Sequence, residues 1–511
     1  MLCLSLVVIG LDNTILNVAL PTLVRDLHAS ASDLQWMVDS YILVFAGLLL
    51  TAGSLGDRFG RKRALSLGLL IFVAGSVLSA FSGSASLLIA TRALMGVGGA
   101  LIMPATLSIL TNTFTNPSER AKAIGIWAGV AGMGIAVGPI TGGWLLQNFW
   151  WGSVFLVNVP IVIIALVAGH YLVPDSRDPS APKLDPVGAG LSIAGLTTLV
   201  WAIIEAPSHG WGSTTIVVGY VVAAVILGSF IAWEAHIDHP MLDVRIFENP
   251  RFSAASAAIT LVFFAMFGSF FLLTQYLQNV RGYTALEAGV RMAPIALVMF
   301  IAAPASSTIV RWFGSKKVIA SGLVIAAFGL VVFSRLQEQS GYGSLLVAIL
   351  ILGLGMSLTM APATESIMGS LPREKAGVGS AVNDTTRQVG GALGVAILGS
   401  LLSSAYSSRM ASAVSGHGLS VAASSAARDS LGAALETAKQ LGGSPGQALA
   451  DAAKHSFVGA MGPTFLVAAG VALVGAVIVV LFLPARAADE SITAVEPALE
   501  HELVTAQSTA L

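Results

Sequence analysis

Charge is what this chain has least of. Asp, Glu, Lys and Arg make up 10% of its 511 residues and the net charge is -1, so there is no basic footprint for nucleic acid. A single cysteine, Cys3, excludes an intramolecular disulfide and a cysteine metal cage, and reads as a small apolar residue of the first span. No Gly-x4-Gly-Lys-Ser/Thr phosphate loop occurs, so ATP is not the expected energy source. The eight histidines fall mostly in loops, with neither metal-ligand spacing nor a nucleophile triad. No metal, no cofactor and no catalytic centre are therefore expected, and the chain does not read as an enzyme. The first apolar stretch is too long, and too poor in basic flank, for a cleaved signal peptide. No Lys or Arg precedes Arg25, which leaves either a vestigial cytoplasmic tail or a start further upstream.

Apolar residues fill the space that charge leaves. They are 55% of the chain, and the mean hydropathy of +0.83 is incompatible with a water-facing surface. The pattern predicts an all-α polytopic membrane protein. Stretches long enough to cross about 30 Å of hydrocarbon at ~1.5 Å per residue recur fourteen times. They lie at 2–22, 34–55, 64–82, 86–112, 122–147, 153–173, 187–206, 214–234, 252–277, 286–309, 317–335, 343–369, 377–404 and 457–483.

Orientation follows from Lys and Arg. With both termini inside, the cytoplasmic segments hold 16 of these residues and the outer loops 7, and four of those 7 sit in the long 405–456 loop, which counts little. The short basic loops are thus cytoplasmic.

The two ends of the span series repeat each other. Asp57-Arg58-Phe59-Gly60-Arg61-Lys62-Arg63 after span 2 is echoed 254 residues later by Arg311-Trp312-Phe313-Gly314-Ser315-Lys316-Lys317. Gly96, Gly98, Met103, Pro104, Ala105 and Thr106 of span 4 are answered by Gly353, Gly355, Met360, Pro362, Ala363 and Thr364 of span 12, after a one-residue insertion. This reads as a parallel duplication, two six-helix halves rocking about a midplane site. The halves are 1–173 and 252–483, with spans 7 and 8 inserted between them in 174–251. The outer loop 405–456, rich in Ala, Ser and Gly, is expected to hold short surface helices such as 424–441 and no folded domain. The acidic tail, 484–511, is expected to be disordered.

Five motifs carry chemistry. In span 5, Gly129-x8-Gly138-Pro139-x2-Gly142-Gly143 places glycines where helices approach closely, with a proline that bends. After span 2, Gly53-x-Leu55-x-Asp57-Arg58-x-Gly60-Arg61 sets a carboxylate among cations, where it can face a helix N-terminus. Arg92 lies several residues inside span 4, where an arginine costs ~2.5 kcal/mol or more without a partner or water, so it either pairs, lines a cavity or snorkels outward. Asp12 lies about ten residues, ~15 Å, into span 1, near the midplane. Burial disfavours its charge and an approaching Arg92 favours it, the setting for a group that gains and loses a proton, or else for a neutral packing acid. In span 13, Asp384 and Arg387 are three apart and share a helix face, either as a structural pair or with a substrate or proton role. Glu287 and Arg291 form a similar pair, read as structural. Asp39, Glu205 and Gln275 are further polar candidates for an outer-facing cavity.

The span 5 motif resembles one of exporters in the major facilitator superfamily. The Asp57 turn and Arg92-Ala93-Leu94-Met95-Gly96-Val97-Gly98-Gly99-Ala100 also match motifs of that superfamily, and Leu11-Asp12-Asn13-Thr14-Ile15-Leu16-Asn17-Val18-Ala19-Leu20-Pro21 resembles the first-helix motif of drug exporters almost residue for residue. Together with Trp36 and Tyr41, Phe155 to Pro160, and Gln275 to Gly289, these are similar to the fourteen-helix drug:proton antiporter family over nearly the whole chain. Arg311, where that pattern has an acid, weakens the second cytoplasmic motif.

The resemblance implies proton-driven export of lipophilic, often cationic drugs or antibiotics through a monomer in the plasma membrane. Asp12, Arg92 and Asp384 would couple protons, and Asp39, Glu205, Gln275 and Arg387 would line the cavity. Asp57 would latch the halves inside, near Ala376. An exporter of one endogenous antibiotic, lipid or metabolite stays open, as does a non-transporting receptor or enzyme, although no catalytic cluster or soluble domain supports the last.

Overall fold

In hydrocarbon every backbone N–H and C=O must bond within its own segment, and the chain meets this with helices alone among the described residues. The computed structural model describes residues 1–114, 119, 123, 130, 137–173, 176, 184–371, 376–414 and 420–484. Gly129, most of span 5 before 137, the basic residues Arg120, Lys122, Arg177, Lys183, Arg373, Lys375 and Arg486, and the tail beyond 484 lie outside them.

The first six helices are α1 Leu2–Leu27, α2 Ala31–Phe59, α3 Arg61–Ala80, α4 Ala85–Thr113, α5 with 137–148 described, and α6 Ser153–Leu172. Two further helices follow, α7 Pro186–His209 and α8 Thr214–His236. The second set is α9 Pro250–Val280, α10 Ala285–Phe313, α11 Ser315–Phe333, α12 Tyr342–Met368 and α13 Ala376–Val414. The chain ends with α14 Val421–Asp429, α15 Leu431–Leu441 and α16 Gly443–Phe482. Thirteen helices among the described residues are long and apolar enough to cross a membrane. The fifth expected span is described without a break only from 137, so it is not among them.

The duplication is visible in how the helices touch. Gly60, between α2 and α3, has φ 113°, and Gly314, at the same place between α10 and α11, has φ 82°. Both sit in a backbone region that disfavours side chains. Gly68 and Gly98 let the backbones approach closely where α3 crosses α4, since a Cβ on either would lie 2.9 or 2.8 Å from the other's carbonyl oxygen. Gly322 and Gly355 do the same where α11 crosses α12, at 2.8 and 2.6 Å. Capping boxes open α2 (Ser30 with Asp33) and α10 (Thr284 with Glu287). Glu287 therefore serves mainly as a cap, and its 3.9 Å approach to Arg291 is secondary.

The inserted pair lies outside the duplicated bundle. α7 packs on α2 and on α13, with Ile193 filling the notch at Gly47 and the Trp211 indole donating to Ser404 at 3.0 Å. At the far end of the pair the Trp233 indole donates to Asp185, and Glu234 accepts the Leu242 amide at 2.8 Å, which ties the following linker back onto α8. The apolar side chains of α8 that remain uncovered, Val218, Val221 and Val225 among them, suit contact with lipid.

The described residues of 405–456 are more regular than the composition suggests. α13 runs to Val414 and α16 begins at Gly443. At 39 and 40 residues, about 58–60 Å at 1.5 Å per residue, both exceed the hydrocarbon core. Between them α14 and α15, separated at Ser430, replace the expected 424–441 helix and form a cap that rests on the first half, with Gly432 against Val24 of α1. Alanine and serine give this segment good helix formers and N-caps without the apolar run that marks a span.

Candidate functional site

The centre of the first half is built around Arg92. Glycines at 96 and 99 bring α4 close to α2, where a Cβ at Gly96 would lie 2.6 Å from the Tyr41 carbonyl. Arg92 then reaches across to α1 and α2. Its Nη1 donates to Asp12 Oδ2 at 2.5 Å, its Nε donates to the Met37 carbonyl at 3.1 Å, and its guanidinium lies 4.4 Å from the centre of the Tyr41 ring. Arg92 is 2% exposed and Asp12 fully buried, so the arginine pairs rather than snorkels. Asp12 Oδ1 accepts no hydrogen bond of ordinary geometry among the described residues, and the Asn158 side chain is its other polar neighbour.

α5 binds that centre to the other half. A Cβ on Gly138 would meet Thr14 Oγ1 and one on Gly142 would meet Ile15, both on α1 within a turn of Asp12. Gly143 faces the opposite way, with Leu286 Cα of α10 only 2.4 Å from its would-be Cβ. Gly289 of α10 in turn abuts the Pro139 carbonyl. The motif thus makes two seams, one on α1 and one on α10.

The halves meet at the end of the bundle where α1 passes into α2. Besides the α5/α10 seam, Gln278 donates to the Val18 carbonyl at 2.8 Å and Ser400 donates to Gln35 Oε1 at 3.1 Å. The cap adds Asp429, which accepts the Ala31 amide at the start of α2 at 3.3 Å. That end of the bundle is therefore closed. Asp39, read as a candidate for an outer-facing cavity, is fully buried on α2 in this closed arrangement, and neither of its oxygens has a partner among the described residues.

In the second half Asp384 and Arg387 lie on α13, 3.6 Å apart. Arg387 also donates to Thr364 of α12 at 3.1 Å and lies 5.6 Å from the Phe263 ring of α9. The other expected residues are not drawn into either centre. Gln275 donates to the Phe271 carbonyl of its own helix, and Glu205, near the C-terminal end of the peripheral α7, has Ser208 and His209 of the same helix as its partners. Asp57 pairs with Arg61 at 2.7 Å, within its own half. The expected latch partner near Ala376 has no described side chain. Arg58 is exposed and lies over Phe59, and Gly53 packs on Pro104 of α4.

Sequence reasoning missed Met37 as a ligand of Arg92, because a main-chain carbonyl leaves no trace in residue identity. It also missed Gln278 and Asp429 as contacts between halves. Their only signal was polarity near span ends, which ordinary loops share.

Known proteins align with this chain over nearly its whole length. The multidrug efflux pump LfrA of Mycolicibacterium smegmatis is 37% identical over 478 residues, covering 94% of both chains. The tetracenomycin C resistance and export protein of Streptomyces glaucescens is 36% identical over 93% of this chain and 89% of its own. The methyl viologen resistance protein SmvA of Salmonella typhimurium is 36% identical over 88% of this chain and 90% of its own. Among solved structures, an inward-facing, unoccupied bacterial homologue of the human lysosomal transporter Spinster shares the fold, with a TM-score of 0.66 at 20% identity over 95% of this chain and 97% of that one. With the duplicated bundle and its glycine crossings in place, and residues 2–395 matching the family itself, the chain belongs to the Major Facilitator Superfamily.

Proposed function

We propose that this chain exports lipophilic, mainly cationic compounds across the cytoplasmic membrane by alternating access, in exchange for protons that enter through Asp12. The observation that carries the reading is the sealed Asp12–Arg92 pair, joined to the α5 seam through Thr14 and Ile15. A proton on Asp12 weakens the grip of Arg92, and the helix that feels this change is the one packed on the gate. Proton entry supplies about 2.3 kcal/mol per 100 mV for each charge, enough to sustain a useful gradient. In this reading residues 1–173 rock against 252–483, the chain spans the membrane fourteen times as a monomer, and both termini are cytoplasmic. Three relatives named for efflux, export or resistance support the choice of direction.

An exporter dedicated to one antibiotic is the second reading, favoured by the 36% identity to the tetracenomycin C protein. The test is accumulation of a panel of fluorescent cations, anions and neutral dyes in cells with wild type, Asp12→Asn or no transporter. Broad exclusion of cations by wild type alone supports the first reading. Exclusion of one compound supports the second, and no difference for any compound defeats both.

A further inference from the structure

The two arginine–aspartate pairs differ in kind. Arg92 is sealed, tightly bonded and backed by an aromatic ring. Arg387 is 28% exposed beside an Asp384 that is 12% exposed, and the 3.6 Å between Nη1 and Oδ1 is too long for a hydrogen bond. Of its five N–H groups, the one that makes a hydrogen bond among the described residues points to Thr364, and Nε is buried without a partner. An arginine fixed as a strut satisfies its planar fork, and this one does not.

Its surroundings nonetheless suit a delocalised cation. The guanidinium lies over Phe263, which stacks on Phe267 with centroids 6.1 Å apart and planes at 27°. Asp384 supplies the counter-charge. The frame around the side chain is rigid, because Gly390 and Gly394 of α13 press on the Thr260 and Phe264 carbonyls of α9, leaving 2.2 Å to a would-be Cβ at each. The long arginine side chain is thus the movable part of the site.

We infer that Asp384, Phe263 and Phe267 form the recognition site for a lipophilic substrate cation, and that Arg387 is a tethered cation that fills this site in the empty transporter and is displaced when substrate binds. The inference rests on the export reading above and deepens it by naming how cations are selected. A compound with a delocalised positive charge and apolar surface replaces the guanidinium on both the carboxylate and the ring. A neutral or anionic compound satisfies neither and leaves Arg387 in place.

The test is equilibrium binding of tritiated tetraphenylphosphonium to the purified full-length protein in detergent, with thermal melting of each variant alongside. Arg387→Gln removes the competitor and is expected to bind about three- to tenfold more tightly, while Arg387→Lys keeps a cation and stays near wild type. Phe263→Leu, with Arg387 in place, is expected to bind several-fold more weakly, and Asp384→Asn in the Arg387→Gln background is expected to lose binding. Unchanged or weaker binding in an Arg387→Gln protein that melts like wild type overturns the inference, as does wild-type affinity in Phe263→Leu. Either result, in a protein whose wild type still lowers dye accumulation in cells, removes the tethered cation and leaves export standing. Absence of any effect on accumulation removes the export reading itself.

Discussion

Arg92 grips Asp12 across 80 residues of sequence and the full interior of the first half, with the Tyr41 ring under its guanidinium. A buried pair of this kind is poor evidence of net stability, but breaking it from one side leaves an uncompensated charge, typically at ~3–5 kcal/mol. Arg92→Ala is therefore expected to lower the melting temperature in detergent markedly, and the double variant Asp12→Asn/Arg92→Gln to recover part of the loss. A double variant that melts below Arg92→Ala would show that the pair matters through packing rather than charge.

The α5 seams separate two roles. A leucine at Gly142 strikes Ile15 within the first half, whereas one at Gly143 strikes the α10 backbone, which belongs to the other half and must part when the outer face opens. Gly143→Leu should thus favour the outward-open state, and Gly142→Leu should abolish efflux from protein still present in the membrane. Labelling of a single cysteine at Val18 in a Cys3→Ser background measures the first effect, expected to be faster with Gly143→Leu. Wild-type efflux by Gly142→Leu at normal expression would refute the second.

The cap offers a pH dependence of its own. Burial pushes the Asp429 carboxyl above the usual 3.8 and nearby Asp33 adds to this, while the hydrogen bond from the Ala31 amide pulls it back. Tyr406 of α13 faces the same carboxyl. A group raised in the docked state favours docking when protonated, so its contribution is complete below 3.8 and is lost as pH rises through the raised value. External acid is expected to slow labelling of a cysteine at Val24, which lies behind Gly432, and Asp429→Asn to remove that dependence. A dependence that persists in Asp429→Asn would place the titrating group elsewhere.

Topology is open to a direct check. Single cysteines at Ser180 and Ser425 in the Cys3→Ser background should label from opposite sides of the membrane, the second from outside. Labelling from one side would break the fourteen-span count.

Much of this architecture was legible before any coordinates. Hydropathy places spans because lipid imposes a length, and the echo of Gly60 in Gly314 marks the duplication because a turn with positive φ admits little but glycine. Asp12 and Arg92 were legible because a charge in hydrocarbon needs a partner. The cap was not: α14 and α15 owe their place to Gly432 on Val24 and Asp429 on the Ala31 amide, contacts between distant segments that no local pattern encodes. Glu205 shows the limit of reading polarity alone, since its partners lie on its own peripheral helix. Polarity in a span says that a residue is unusual, and not whether its helix faces the centre or the rim.

The central claim is that Asp12 carries the proton. Substrate-induced proton leak, measured with a pH dye in inside-out vesicles, tests it most directly. Asp12→Asn protein that is inserted normally, and still binds tetraphenylphosphonium, is expected to show none of the leak seen in wild type. Leak at the wild-type rate in Asp12→Asn would contradict the claim and move the coupling to another acid, Asp384 first.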